Sequence, residues 1–260
     1  MTDKSKTLWK ATFTNFGISI VVFGVLLGLL WLAETLFPSL SGRLLQFNNT
    51  AWVIGIPGSV IGVTYILSIK NPQNYTGFYA GIVMSILLGV QFLLHGQYDS
   101  TVLFLFMFIS FQIFSIVNWK KASASEAKSE SFSPEFLSMK QMLLSVLVFV
   151  VLTLADYMLA TFVFLHDSLG DMVLIKLFNG LLISTSVLAN FWLIYRKNDA
   201  WLYWIFYSVA GIVLFVLLHN IFSIVLFVFF LVINSMAGIS WIRSTTKENL
   251  GWIGTLRGKK

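Results

Sequence analysis

Residues 196–241 read RKNDAWLYWIFYSVAGIVLFVLLHNIFSIVLFVFFLVINSMAGISW. Two apolar runs of helical length lie back to back in this stretch, separated by a short turn at His219-Asn220. The first opens with Trp201 and Trp204; the second carries a lone Asn234 near its middle and ends on Trp241. Helical spacing puts Trp201, Trp204 and, about a turn further, Tyr207 or Ser208 roughly on one face. Flat aromatic faces beside a carboxamide buried in mid-helix can hold a flat, polar small molecule.

The rest of the chain decides the medium in which those helices sit. Hydrophobic residues make up 57% of the 260 residues and charged residues 11%, against about 25% charged in soluble proteins. A chain this apolar cannot hide its hydrophobic surface from water, so it reads as a multi-pass membrane protein. The formal charge of +6 points to basic loops on one side of a membrane rather than to a nucleic-acid partner. With no cysteine, disulfides and thiolate metal sites are excluded. His95, His166 and His219 all fall near expected helix ends, a scatter that suits the membrane interface better than a metal site.

Outward from the opening stretch, hydropathy predicts eight spans. They lie near Phe16–Phe37, Thr50–Ile69, Tyr75–Leu94, Ser100–Trp119, Met142–Leu165, Met172–Tyr195, Ala200–Leu218 and Asn220–Ile242. The first is too long for a signal-peptide core and lacks a small-residue cleavage pattern. Gly24 and Gly28 form a GxxxG pair on it that permits a close helix contact. Pro38 ends it, and Pro57 falls inside the second span, where a kink is tolerable if neighbours satisfy the freed carbonyl. Lys120–Gln141 is the one long polar loop and reads as a flexible linker between two halves. With the N-terminus in the cytoplasm, inner segments collect 15 of the 17 basic residues; only Arg43 lies outside and Lys176 within a helix. That asymmetry sets the orientation, with both termini cytoplasmic.

The two halves look alike. Residues 70–119 read KNPQNYTGFYAGIVMSILLGVQFLLHGQYDSTVLFLFMFISFQIFSIVNW. Like residues 197–241, they begin with Lys-Asn, carry Leu-Leu-His at the outer turn and finish on a Trp. Counting back from Trp119 and Trp241 sets Gln112 on Asn234 and Phe108 on Phe230. The expected fold is therefore all-α and membrane-embedded, with eight transmembrane helices. Two parallel three-helix repeats flank one linker helix (3+1+3, a SWEET-like plan), with an extra N-terminal helix in front. The expected segments are 1–49, tail and extra helix; 50–119, first repeat; 120–141, cytoplasmic loop; 142–165, linker helix; 166–242, second repeat; and 243–260, cytoplasmic tail.

With that plan, the chain resembles the PnuC vitamin transporters. The residues that carry the resemblance are Asp171, Asn190, the Trp201-Leu-Tyr-Trp204 match to the family's Trp-x-x-Trp, and Asn234…Gly238…Trp241 in the last span. It covers about Ala51 to Arg243. Where the family pattern has Gln four residues after Asp99, this chain has Leu103, and Gln112 is expected to take that role. The resemblance implies a small-molecule vitamin substrate, nicotinamide riboside first, and no cofactor. It implies a bacterial inner membrane location and a cytoplasmic kinase that traps the substrate as its phosphate.

Polar groups in the bilayer core are costly unless paired, which makes Gln91, Gln112, Asn118, Asp156, Lys176, Asn179, Asn190 and Asn234 candidates for function. The expected substrate-binding set is Trp201, Trp204, Tyr207, Asn234, Gln112, Asn190, Gln91 and Asp156. Competing readings accompany them. Gln112 and Asn234 could bond each other or a neighbouring carbonyl as structural glue. Trp201 and Trp204 could belong to an interfacial aromatic belt, the reading given to Trp119 and Trp241. Asp156 could pair with Lys176, face a cationic substrate, or couple protons. A pyridinium ring would be drawn to indole faces by a cation–π contribution of about 1–2 kcal/mol.

No phosphate-binding loop points to ATP, and no chain of buried carboxylates points to ion coupling. Facilitated diffusion by alternating access is the expected mechanism. The alternatives are thiamine or riboflavin as substrate, an ion-coupled transporter, or a membrane enzyme. The last would need a convergent catalytic set that the sequence lacks. A homo-oligomer is compatible with all of these.

Overall fold

A computed structural model describes residues 3–37, 50–126, 134–162 and 173–256. Pro38, Arg43, His166 and Asp171, on which parts of the reading above rest, lie outside the described residues. The long elements are all helices: α1 (Asp3–Leu36), α2 (Thr50–Ile69), α3 (Gly77–Leu94), α4 (Tyr98–Val102), α5 (Ile109–Glu126), α6 (Met139–Phe162), α7 (Val173–Ile194), α8 (Asp199–Leu217) and α9 (Ile221–Ser244). A π-helical stretch, Leu103–Phe108, joins α4 to α5 so that the two run as one rod. A short α10 (Gly251–Leu256) closes the described chain. Among the described residues, seven helical rods are long and apolar enough to cross a membrane. α2 adds a further apolar stretch, Val53–Ile69, with Pro57 inside it.

The apolar side chains are turned outward as well as inward, as a lipid solvent requires. Phe206 is 63% exposed, Leu147 60% and Val21 65%. The polar residues do the reverse: Gln112, Ser208 and Asn234 are at most 1% exposed. α7 is the most enclosed rod, with 72% of its most apolar stretch buried against 17% in α1 and α6. It packs on α6, α8 and α5, while α3 packs on α2 and α5, and α9 on α8 and α2. α7 therefore carries the polar run Ser184, Thr185, Ser186 and Asn190 into the middle of the bundle.

Three helices end in the same way, with a residue in the left-handed conformation just past the helix: Gly96 (φ 73°), Arg196 (φ 56°) and His219 (φ 53°). The amides of Gln97, Lys197 and Asn220 reach back to the carbonyls of Phe92, Trp192 and Phe215. Each closes a Schellman motif that satisfies helix-terminal carbonyls.

Two expectations change. α1 starts at Asp3 rather than near Phe16, because polar residues of its first half bond to the bundle. Asn15 Nδ2 donates to Ser68 Oγ at 3.1 Å, and the hydroxyls of Thr12 and Thr76 lie 2.8 Å apart. Its Gly24 and Gly28 make no close helix contact among the described residues, since a Cβ on either would meet nothing within 4 Å. The polar linker is also less open than its composition suggests. α5 continues past Trp119 to Glu126. Residues 135–137 are pinned by Asn198 N–Glu135 O (2.8 Å), Phe136 N–Asn249 O (2.9 Å) and Trp252 N–Leu137 O (2.7 Å). Asp199 then accepts from Leu137 N and from Trp252 Nε1.

Candidate functional site

Amide side chains buried among hydrocarbon must find partners, and the first half meets the second through one such pair. Gln112 Nε2 of α5 donates to Asn190 Oδ1 of α7 at 3.2 Å. The Tyr65 hydroxyl of α2 donates to the same oxygen at 3.4 Å. Asn190 Nδ2 in turn donates to the Ser186 carbonyl one turn back, at 2.9 Å, which fixes the amide's orientation. Three helices thus converge on one carboxamide. Gly81 of α3 leaves room for this: a Cβ there would lie 2.8 Å from Gln112 Oε1.

Asn234, the amide that the sequence pairs with Gln112, behaves differently. Asn234 Nδ2 of α9 donates to Ser208 Oγ (3.1 Å) and to the Trp204 carbonyl (3.3 Å), both on α8. The aromatic side chains of α8 follow from that clasp. Trp204 meets Tyr207 edge-on at 5.3 Å, and Tyr207 leans on Phe227 of α9 at 5.2 Å. One turn below, Trp201 meets Trp241 edge-on at 5.5 Å. Gly238 permits that approach: a Cβ at this position would lie 3.1 Å from the Trp201 Cβ.

Among the described residues, three buried polar atoms of these two groups find no hydrogen-bond partner: Gln112 Oε1, Asn234 Oδ1 and Trp201 Nε1. Each such atom forfeits about 1–3 kcal/mol of solvation. They are two amide acceptors and an indole donor, buried among aromatic rings. This is the chemistry of a site for a flat molecule with its own donors and acceptors.

Of the eight residues singled out in the sequence, the structure gathers six into two groups: Gln112 with Asn190, and Asn234 with Trp201, Trp204 and Tyr207 on the facing sides of α8 and α9. Gln91 and Asp156 make their contacts elsewhere. Gln91 lies against Gly55, whose Cβ would fall 2.5 Å from Oε1. Asp156 is tied to Asn179, whose Nδ2 donates to Asp156 Oδ2 at 3.2 Å and to Asp99 Oδ2 at 3.0 Å. That amide links α4, α6 and α7. Tyr65 was missed, because a tyrosine one turn from the end of α2 reads in the sequence as an ordinary interfacial residue.

Trp119 and Trp241 require correction as belt residues. Both are fully buried. Trp119 Nε1 donates to the Leu193 carbonyl and Trp241 Nε1 to the Lys70 carbonyl, each at 3.0 Å. An indole N–H needs an acceptor wherever it is buried, and helix C-terminal carbonyls supply one facing inward.

Comparison with known proteins agrees with this architecture. The model of the family described as nicotinamide mononucleotide transporter matches residues 52–243. Among solved structures, the crystal structure of the vitamin B3 transporter PnuC superposes with a TM-score of 0.62 at 18% sequence identity, covering 94% of this chain and 98% of that one. At that identity the likeness speaks for the fold. No curated protein matches the chain.

Proposed function

The chain belongs to the nicotinamide mononucleotide transporter family, and from that premise we propose that it carries nicotinamide riboside across a bacterial inner membrane by facilitated diffusion. The observation that carries the proposal is the set of Gln112 Oε1, Asn234 Oδ1 and Trp201 Nε1, buried and without partners among the described residues. Nicotinamide riboside offers a carboxamide and ribose hydroxyls to such groups. Its pyridinium ring carries a positive charge that the faces of Trp201, Trp204 and Tyr207 attract.

The site also bears on the choice between riboside and mononucleotide. Gln112, Asn190, Tyr65, Asn234, Ser208 and the indoles are all neutral. A phosphate dianion taken from water needs charged partners, and none of these residues supplies one. A cationic nucleoside suits the site better than its phosphorylated form. A cytoplasmic kinase acting on the delivered riboside would then prevent its return.

Equivalent contacts in the two halves support the 3+1+3 plan. Phe78 meets Trp119 edge-on at 4.7 Å, as Trp201 meets Trp241. A Cβ on Gly89 would strike Leu105, as one on Gly211 would strike Phe227. α2, α3 and α4–α5 would form one repeat and α7, α8 and α9 the other, with α6 as the linker. The turns and ends that carry Lys70, Lys120, Arg196 and Arg243 would face the cytoplasm.

Calorimetric titration of the purified protein with nicotinamide riboside, thiamine and riboflavin tests the assignment. Heat of binding is expected with nicotinamide riboside. Silence with all three vitamins would overturn it, and binding of thiamine or riboflavin alone would transfer the site to that vitamin.

A further inference from the structure

On the reading of the protein as an alternating-access transporter, we propose that Trp119 and Trp241 form its inner gate, with Arg196 as the lock that holds the gate shut. The two indoles lie at the basic end of the bundle, each seven residues and so two helical turns beyond an amide of the site. Trp119 follows Gln112 on α5, and Trp241 follows Asn234 on α9, about 10 Å along each helix. The ring centroids are 5.8 Å apart.

Their indole N–H groups donate from one half to the other. Trp119 of the first half donates to Leu193 at the C-terminus of α7; Trp241 of the second half donates to Lys70 just past the end of α2. In each case the last helix of one half caps the first helix of the other. Lys70 O lies just past the end of α2, and Leu193 O takes the indole beside the Arg196 amide, so each cap is directional. A solute leaving the amide layer between α5 and α9 toward the basic end must part these rings and break both caps. The carbonyls freed in that movement lie at helix ends where water can replace the indole. The closure is thus reversible in a way that a buried apolar seal is not.

Arg196 makes one side of the gate firmer than the other. Its guanidinium lies over the Trp119 ring at 5.1 Å, and its Nη2 donates to the Trp119 carbonyl at 3.2 Å. It is 7% exposed and sits in a left-handed turn whose backbone already bonds Leu193 O, the acceptor of the Trp119 indole. One residue therefore holds the ring, the carbonyl behind it and the turn that the ring caps. Trp201 connects the gate to the site, because it packs on Trp241 and opens the helix that carries Trp204.

The chain has no cysteine, so single cysteines report access cleanly. Ala237, one turn inside Trp241 and fully buried, becomes the inner reporter as Ala237→Cys. Thr101, buried near the opposite end of the α4–α5 rod, becomes the outer reporter as Thr101→Cys. Each is combined with Arg196→Gln, Trp119→Phe or Trp241→Phe, and the rate of modification by a membrane-impermeant maleimide is measured from either face of oriented vesicles. The expected result is at least a fivefold faster modification of Ala237→Cys from the cytoplasmic face in the gate variants, with no increase at Thr101→Cys. Unchanged modification of Ala237→Cys in all three variants would overturn the gate, as would an equal increase at both reporters, which signals general loosening. Nicotinamide riboside binding by the reporter proteins is measured in parallel. Its absence counts against the transport reading, whereas its presence with unchanged labelling counts against the gate alone.

Discussion

The Asn190 carboxamide oxygen accepts hydrogen from Gln112 at 3.2 Å and so joins the last rod of the first half to the first helix of the second. Because Tyr65 shares that acceptor, Asn190→Ala strands two buried donors at once. Loss of about 1–3 kcal/mol of stability per stranded group is expected, seen as a lower unfolding midpoint in detergent. Gln112→Ala removes a donor and leaves Asn190 Oδ1 still bonded to Tyr65, so it should unfold later than Asn190→Ala. The reverse order would show that Asn190 is not the hub.

Removing ligand contacts is expected to weaken binding. Trp204→Ala and Asn234→Ala should each reduce affinity for nicotinamide riboside at least tenfold, about 1.4 kcal/mol, by calorimetric titration. Trp204→Phe keeps an aromatic face and should lie between Trp204→Ala and the parent. Full affinity in both alanine variants would place the substrate elsewhere.

Backbone geometry predicts a stabilising change far from the site. His219 is exposed and holds a left-handed conformation (φ 53°) that glycine adopts without strain. His219→Gly should raise stability by about 1 kcal/mol, measured as a shift in thermal midpoint. A fall in the midpoint would mean that the imidazole makes a contact worth more than the strain.

Two glycines should respond oppositely to a methyl group. A Cβ on Gly211 would come within 1.9 Å of the Phe227 ring, whereas one on Gly24 meets nothing within 4 Å. Gly211→Ala should destabilise by about 1–3 kcal/mol through overpacking. Gly24→Ala should be neutral or gain the few tenths to 1 kcal/mol of better helix propensity. Equal effects would contradict the packing of α8 on α9.

Uptake should not depend on an ion gradient. Asp99 and Asp156 share the Asn179 amide as a tie between helices, and facilitated diffusion asks no more of them. Proteoliposomes loaded with kinase and ATP should take up nicotinamide riboside at the same rate with or without an imposed pH or sodium gradient. A severalfold acceleration by a proton gradient, abolished by Asp156→Asn, would assign the pair a coupling role.

The rods and their order were legible because hydropathy over about 20 residues measures what a bilayer measures. The register of Gln112 on Asn234 was legible from the closing tryptophans. In the structure the two amides make different contacts, Gln112 with Asn190 of α7 and Asn234 with Ser208 of α8. Hydropathy is silent on which face of a rod turns inward, which is why Trp119 and Trp241 read as belt residues. Their acceptors, Leu193 O and Lys70 O, are backbone groups with no signature in the side-chain alphabet. The same blindness applies to the first turns of α1, whose polar composition reads as a tail until Thr12 and Asn15 find Thr76 and Ser68. Gln91 and Asp156 meet Gly55 and Asn179 in the structure, contacts with partners that polarity within a span does not foretell.

The most direct test of the central claim compares nicotinamide riboside with its 5′-phosphate in calorimetric titrations of the same purified protein. A neutral layer of amides and indoles predicts binding of the riboside and at least tenfold weaker binding of the mononucleotide. Equal or tighter binding of the mononucleotide, or no heat with the riboside, would contradict it.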